Sequence, residues 1–240
     1  MRHIEKRPEP RTVTDTRRSS TTSFSTKSAA RTAFDHLDKA AVRRQLVEEQ
    51  GGLCAFCMKR IHDGSNPSRG YDGQGSPTTR IAHRTPIDAV PGAALDWTNL
   101  LGCCDGGERS DARHKTCDLA QGASTLAVDP TKKASVSTVR YERRAPRAGL
   151  FITSDDAAVR KDVDGELRGA VFEHGTLRLN SGDLPELREA AWRAFQQRHK
   201  LAFPNGPHGK PAWRAFLPTW RGGSSDRLPE MLGVVEARLL

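Results

Sequence analysis

The sequence predicts an α+β fold. A zinc-stapled core of short strands carries additional helices, and a C-terminal α/β extension runs short strands first and helices after. Three observations predict this. All five cysteines fall in two groups, Cys54 with Cys57 and Cys103-Cys104 with Cys117. Short apolar runs flanked by Gly, Pro, Asn or Asp recur along the chain, the pattern of short strands. Helical spacing of apolar residues appears over 35–50 and again over 184–200.

Residues 1–34 are rich in Arg, Ser, Thr and Pro with few apolar positions, and read as an extended N-terminal arm. Over 35–50, Leu37, Ala41, Val42 and Leu46 lie near one helix face, Asp35 offers the cap, and Gly51-Gly52 stops the helix. Cys54 to Cys57 then reads as a zinc knuckle at the turn of a β-hairpin. Residues 63–79 are a loop rich in Gly, Ser, Pro and Asn. Arg80 to Pro86 suits a short strand ended by its proline, 87–94 is a second loop, and Asp96 to Leu101 starts a helix or turns into a strand. The polar stretch 105–116 is an insertion between cysteines. Val128-Asp129-Pro130 closes this unit, which assigns the core to 35–130 and the extension to 131–240.

In the extension, 136–141, 150–153, 167–172 and 176–179 suggest strands, with Asp164-Gly165 as a turn between two of them. Leu184, Leu187, Ala191, Ala194 and Phe195 mark a helix over 184–200. Asp183 can cap it, and Pro185 is tolerated in its first turn. Trp213, Phe216 and Trp220, within the Pro- and Gly-punctuated 204–224, suit packing better than base stacking. A last helix spans about 227–239. No internal repeat is present.

Lys and Arg number 38 against 29 Asp and Glu, a net charge of +9. That balance favours a polyanionic partner, nucleic acid first. No run of 18 apolar residues would span a membrane, and the polar start lacks an apolar leader, so a cytoplasmic location is expected. Five cysteines are an odd number for a disulfide framework. In a reducing compartment the C-x-x-C of Cys54 and Cys57 points to metal or redox chemistry. The redox reading is weakened because no βαβ pattern surrounds Cys54.

Structural zinc takes four tetrahedral thiolate or imidazole ligands. Cys54 and Cys57 supply the first pair, and the second comes from Cys103, Cys104 and Cys117. Chemistry alone does not separate Cys103 from Cys104, although adjacent residues point apart and one should face away from the metal. Inside the cysteine frame lies His83 on a short apolar run. A neutral imidazole there can take a proton from water. Asn99 can fix backbone or imidazole geometry through its amide, and Asp118 offers a hard oxygen to a divalent cation such as Mg²⁺ or Mn²⁺. These parts suffice for hydrolysis of a phosphodiester.

In order along the chain, Cys54-x-x-Cys57, His83, Asn99-Leu100 and Cys117-Asp118 resemble the HNH (ββα-metal) endonuclease family. The run Asn99 to Gly107, Leu95-Asp96-Trp97 before it, and the opening Met1-Arg2-x-Ile4-x-Lys6 with Glu9-Pro10 are similar to the HNH subunit of the Septu anti-phage system, the PtuB-like group that includes retron-associated HNH effectors. The resemblance covers about residues 1–130. Leu177-Arg178-Leu179-Asn180 and the later Leu187-Arg188 are similar to the same group's C-terminal part. It implies a zinc-stapled ββα-metal nuclease core with Cys54, Cys57, Cys104 and Cys117 as structural zinc ligands. It implies His83 as the general base, Asn99 as the residue orienting it and its loop, and Asp118 as ligand of a catalytic Mg²⁺ or Mn²⁺. It also implies two partners, double-stranded DNA as the nucleic acid and a PtuA-like ATPase subunit that controls the nuclease.

One position departs from that pattern. An acidic residue usually precedes the base, and here it is Ala82. Asp88, Asp96, Asp105 and His114 are conceivable substitutes. Arg80, Arg84, Arg109, Arg113 and Lys115 are candidates for holding the phosphate backbone. Two function classes follow: a metal-dependent DNA endonuclease of antiviral defence, or a zinc-stabilised nucleic-acid-binding or adaptor module without catalysis.

Overall fold

A computed structural model describes residues 1–19, 24, 26–64, 78–108, 111, 115–168, 171–222 and 227–239. The mixed α+β class is as expected. The sheet content is three separate antiparallel pairs among the described residues. Strands β1 (Arg80–His83) and β2 (Leu100–Cys103) pair with Ala82 opposite Leu101 and His83 opposite Leu100. Strands β3 (Val139–Arg144) and β4 (Arg147–Ser154) form the second pair, β5 (Gly165–Arg168) and β6 (Val171–His174) the third.

The helices are α1 (Arg11–Ser19), α2 (Lys27–Asp35), α3 (Lys39–Glu49), α4 (Cys117–Gln121), α5 (Lys133–Ser137), α6 (Ala157–Val163), α7 (Leu184–Ala202), α8 (Lys210–Arg221) and α9 (Leu232–Leu239). The first two correct the extended arm expected over 1–34. Composition hides them because their buried residues are few and small: Val13 in α1, Ala30 and Ala33 in α2. Met1 and Ile4 are buried as well, and the Ile4 amide donates to the Pro130 carbonyl at 2.8 Å. The helix expected over 35–50 is α3, and its cap is Asp38 rather than Asp35. Asp38 accepts from the amides of Ala40 and Ala41, while Asp35 ends α2. Gly51 and Gly52 stop α3 at φ of 63° and 70°, a left-handed turn that side chains resist.

The β1–β2 pair separates two hydrophobic clusters, because alternate strand residues face opposite sides. Leu100 belongs to a cluster with Val13, Ala33, Leu37, Leu46 and Trp97, with Ile81 packed against it. Ala82 and Leu101 belong to the larger core, which also holds the cysteines, Ile152, Leu177, Phe195 and Val234. That core therefore draws side chains from both 35–130 and 131–240.

The extension departs from expectation in four places. Val136 lies in α5, so β3 starts later. The single strand over 167–172 is instead the pair β5–β6. Residues 176–179 are turns, and α6 was not foreseen. The long helix α7 begins and ends close to its expected bounds. Its inner face differs: Leu184, Arg188, Trp192, Phe195 and His199 are buried, and Leu187 is exposed. Asp183 does not cap it with its side chain but pairs with Lys59 at 3.1 Å. The aromatics of α8 pack as expected. Trp213 meets Trp192 at 5.4 Å between ring centroids, and Trp220 meets Phe195 at 5.6 Å. No helix among the described residues is long and apolar enough to cross a membrane. The loop expected over 63–79 lies mostly outside the described residues, as do Arg109, Arg113 and His114.

Candidate functional site

The knuckle is a hairpin turn, as read from the sequence. Leu53 and Arg60 form an antiparallel bridge, the Met58 amide donates to the Cys54 carbonyl, and Cys54 and Cys57 lie in the turn between. Gln50, fully buried, fixes the knuckle to β2. Its Nε2 donates to the Leu53 and Gly102 carbonyls at 2.7 and 2.8 Å, and its Oε1 accepts from the Gly102 amide at 2.7 Å. The second half of the frame comes from the end of β2 and the start of α4. The loop between them is closed by the Thr116 amide donating to Gly106, whose positive φ leaves no room for a Cβ: one would lie 2.5 Å from the Thr116 carbonyl oxygen.

The Sγ atoms of Cys54, Cys57, Cys104 and Cys117 all lie within 4.8 Å of one another, and all four residues are buried. Neighbouring sulfurs are 3.6 Å apart for Cys57 and Cys104, and 3.8 Å for Cys54 with Cys117 and for Cys104 with Cys117. A tetrahedron with zinc–sulfur bonds of about 2.3 Å has edges of about 3.8 Å. The donor set therefore fits a metal ion such as zinc. Cys103 is not one of the four. It lies buried on β2, and burial pushes its thiol well above the ordinary range, which keeps it protonated.

Two positive side chains flank this group. Arg188 is 1% exposed and donates to the carbonyls of Leu150 and Leu179 and to Asn180 Oδ1. Burial lowers its pKa to about 10, and the nearby Cys57 and Cys117 sulfurs oppose that fall. It stays charged beside four sulfurs that, as thiolates, would carry more charge than one zinc ion neutralises. Lys59 is the second, its charge favoured by Asp183, Cys57 and Cys104 against partial burial.

His83 ends β1. Its Nε2 lies 2.9 Å from the Ala94 carbonyl. A carbonyl only accepts, so Nε2 carries the proton and Nδ1 carries the lone pair. Phe34 of α2 meets the ring edge-on at 4.7 Å between centroids. Burial lowers the His83 pKa, partly opposed by the Ala94 bond and by the charge of Asp118. The imidazole is thereby held neutral near pH 7.

Asn99 is 3% exposed and spends its whole amide on the loop that carries Ala94. Its Oδ1 accepts from the Thr85 amide at 2.8 Å, and its Nδ2 donates to the Thr85 and Ala93 carbonyls at 2.9 and 3.1 Å. It fixes the loop whose Ala94 carbonyl meets the His83 ring, and touches the ring only through that backbone. Gln121, which sequence reasoning missed, is its counterpart on α4. Gln121 Nε2 donates to the carbonyls of His83, Arg84 and Ser124 at 2.9 to 3.0 Å. Its place one helical turn after Asp118 was the available signal.

A cavity of about 260 Å³ is lined by Arg31, His83, Asp88, Asp118 and Gly122 among others. It brings together two of the three residues picked from sequence. Burial raises the Asp118 carboxyl pKa, against the pull of Arg80, whose Nε lies 3.2 Å from Oδ2. Ala82 does not line this cavity: it is 1% exposed and packed in the larger core. Of the proposed substitutes, Asp88 lines the cavity. Asp96 instead caps the 3-10 turn Trp97–Asn99, and Asp105 accepts from the Gly107 amide. Among the described residues, the four cysteines are the only preformed group of three or more metal-ligating side chains. Arg80 and Arg84 are engaged in ion pairs with Asp118 and Glu108, and with Asp129.

No protein-family model matches the chain, and no curated protein matches it.

Proposed function

We propose that the chain is a metal-dependent endonuclease of the HNH type, hydrolysing phosphodiester bonds of DNA in prokaryotic anti-phage defence under the control of a PtuA-like ATPase subunit. The observation that carries this reading is the state of His83: neutral, with Nε2–H fixed on Ala94, and sharing a cavity with the carboxylate of Asp118. Nδ1 accepts a proton from water as the oxygen attacks phosphorus, and the bond to the leaving oxygen breaks. Asn99 keeps the loop from shifting the Ala94 carbonyl, and so holds the tautomer. The Asp118 carboxylate, which lines the cavity, is a hard oxygen donor of the kind Mg²⁺ or Mn²⁺ takes. Such a cation would supply charge stabilisation at the scissile phosphate. Structural zinc in the four-cysteine group holds β2 and α4 in place around it.

A second reading is a zinc-stabilised nucleic-acid-binding or adaptor subunit without catalysis. It is favoured by Ala82 and by the lack of a second preformed ligand cluster among the described residues. Incubation of the full chain with plasmid DNA in Mg²⁺, Mn²⁺ or chelator, with and without the partner ATPase, separates the two. Metal-dependent nicking that Asp118→Ala removes supports the nuclease. Salt-sensitive binding with no nicking under any of these conditions supports the adaptor.

A further inference from the structure

We propose that helix α2 is the phosphate-holding wall of the His83 cavity, with Arg31 as the side chain that contacts substrate phosphate and Lys27 as its support. The inference rests on the reading of that cavity as a nucleic-acid site, and adds the residues that hold the strand. Charge is the first argument. Asp88 and Asp118 both line the cavity and would repel a phosphodiester. Arg80 answers the charge of Asp118 but does not line the cavity. Among the described residues, Arg31 is the one cation that does.

Geometry is the second. Lys27, Arg31 and Phe34 follow at i, i+4 and i+7, so they share one face of α2. Phe34 seats that face against the His83 ring at 4.7 Å. The Asp88 carboxylate is shared by two cations: Arg31 Nη2 on Oδ1 at 2.8 Å and Lys27 Nζ on Oδ2 at 2.6 Å. One carboxylate cannot neutralise both, so a positive charge remains at the cavity edge. The Arg31 side chain is 57% exposed, within reach of a ligand. Its remaining N–H groups have no protein partner among the described residues. Asp88 thus holds the guanidinium in place while leaving donors for phosphate oxygens, the bidentate contact that arginine favours. Such contacts position a strand without reading its bases.

The test measures binding of a short fluorescent DNA duplex across a salt series, using His83→Ala protein so that no cleavage intervenes. Adding Arg31→Ala should weaken binding roughly tenfold at low salt and reduce the slope of log K against log salt by about 0.9, the share of one phosphate contact. Arg31→Lys should recover most of the affinity, which a purely structural role for Arg31 would not require. Zinc content and circular dichroism of each variant report on folding. Unchanged affinity and slope in Arg31→Ala, or no salt-dependent binding by the parent protein, would overturn the proposal. Failure of the nuclease reading shows up separately, as absence of metal-dependent cleavage by protein with an intact His83, and leaves the binding comparison intact.

Discussion

Among the described residues the His83 ring makes one hydrogen bond, and that bond selects which ring nitrogen is free to take a proton. The Ala94 carbonyl takes the Nε2 proton, so Nδ1 is the basic atom. Burial lowers the pKa of the ring, with Asp118 and the Ala94 bond opposing; Arg31, Asp88 and Asp118 are the charged groups that share its cavity. In the proposed role His83 works unprotonated, and a lowered pKa keeps it so at a pH where an ordinary histidine is half charged. The acid limb of kcat/KM should therefore fall below the ordinary value of about 6.5. An acid limb above that value in a pH–rate profile would contradict the assignment. Asn99 acts one step removed. Asn99→Ala strands the Thr85 amide and the Thr85 and Ala93 carbonyls. It should cost about 2 kcal/mol in urea unfolding and lower kcat more than it raises KM.

At the scale of elements, short pieces are placed by side chains that bond to backbone. Gln50 fixes the knuckle to β2, Gln121 fixes α4 to β1, and the Asn180–Arg188 pair fixes α7 to β4. Arg188 donates to the Leu179 carbonyl, and two residues earlier the Leu177 carbonyl accepts from the Cys117 amide, which ties the same segment to the cysteine group. Arg188→Ala should destabilise the fold by about 3 kcal/mol, since it removes a large buried side chain and its bonds. It should also weaken zinc retention in a chelator competition, because a positive charge beside the thiolates is lost. Unaltered zinc retention would show that Arg188 serves packing alone. The motif residues singled out in the sequence meet here for physical reasons. Lys6 lies over the Trp97 ring at 3.9 Å, and the Trp97 Nε1 donates to the Arg7 carbonyl at 2.9 Å. The opening residues and the Leu95-Asp96-Trp97 run are thus one contact.

At the scale of the molecule, the metal group and the larger core are one cluster, since all five cysteines lie among its residues. Zinc removal by a strong chelator should unfold more than the knuckle: near-ultraviolet circular dichroism from Trp192, packed in the same core, should be lost together with the metal. The cysteine frame was legible because its spacing is a ligand pattern, and α7 because its apolar spacing runs over five turns. Helices α1 and α2 were not, since alanines and one valine give a weak pattern. Cys104 could not be chosen over Cys103 by spacing; the four sulfurs gather without Cys103, whose buried thiol lies beside Cys54 at the edge of the group. Asp88 could not be singled out among the four conceivable substitutes for the missing carboxylate, nor Arg31 noticed at all, because tertiary packing brings them to His83 from 5 residues downstream and 52 upstream. The same packing changes the meaning of Ala82: it faces the core, so the cavity's second carboxylate comes from Asp88. The central claim is that a zinc-framed histidine cuts a phosphodiester. Its most direct test is Mg²⁺-dependent cleavage of plasmid DNA by the full chain and by His83→Ala, with the partner ATPase present and the two proteins matched for zinc content. The account predicts nicking by the parent and none by the variant; equal cutting by the variant would contradict it.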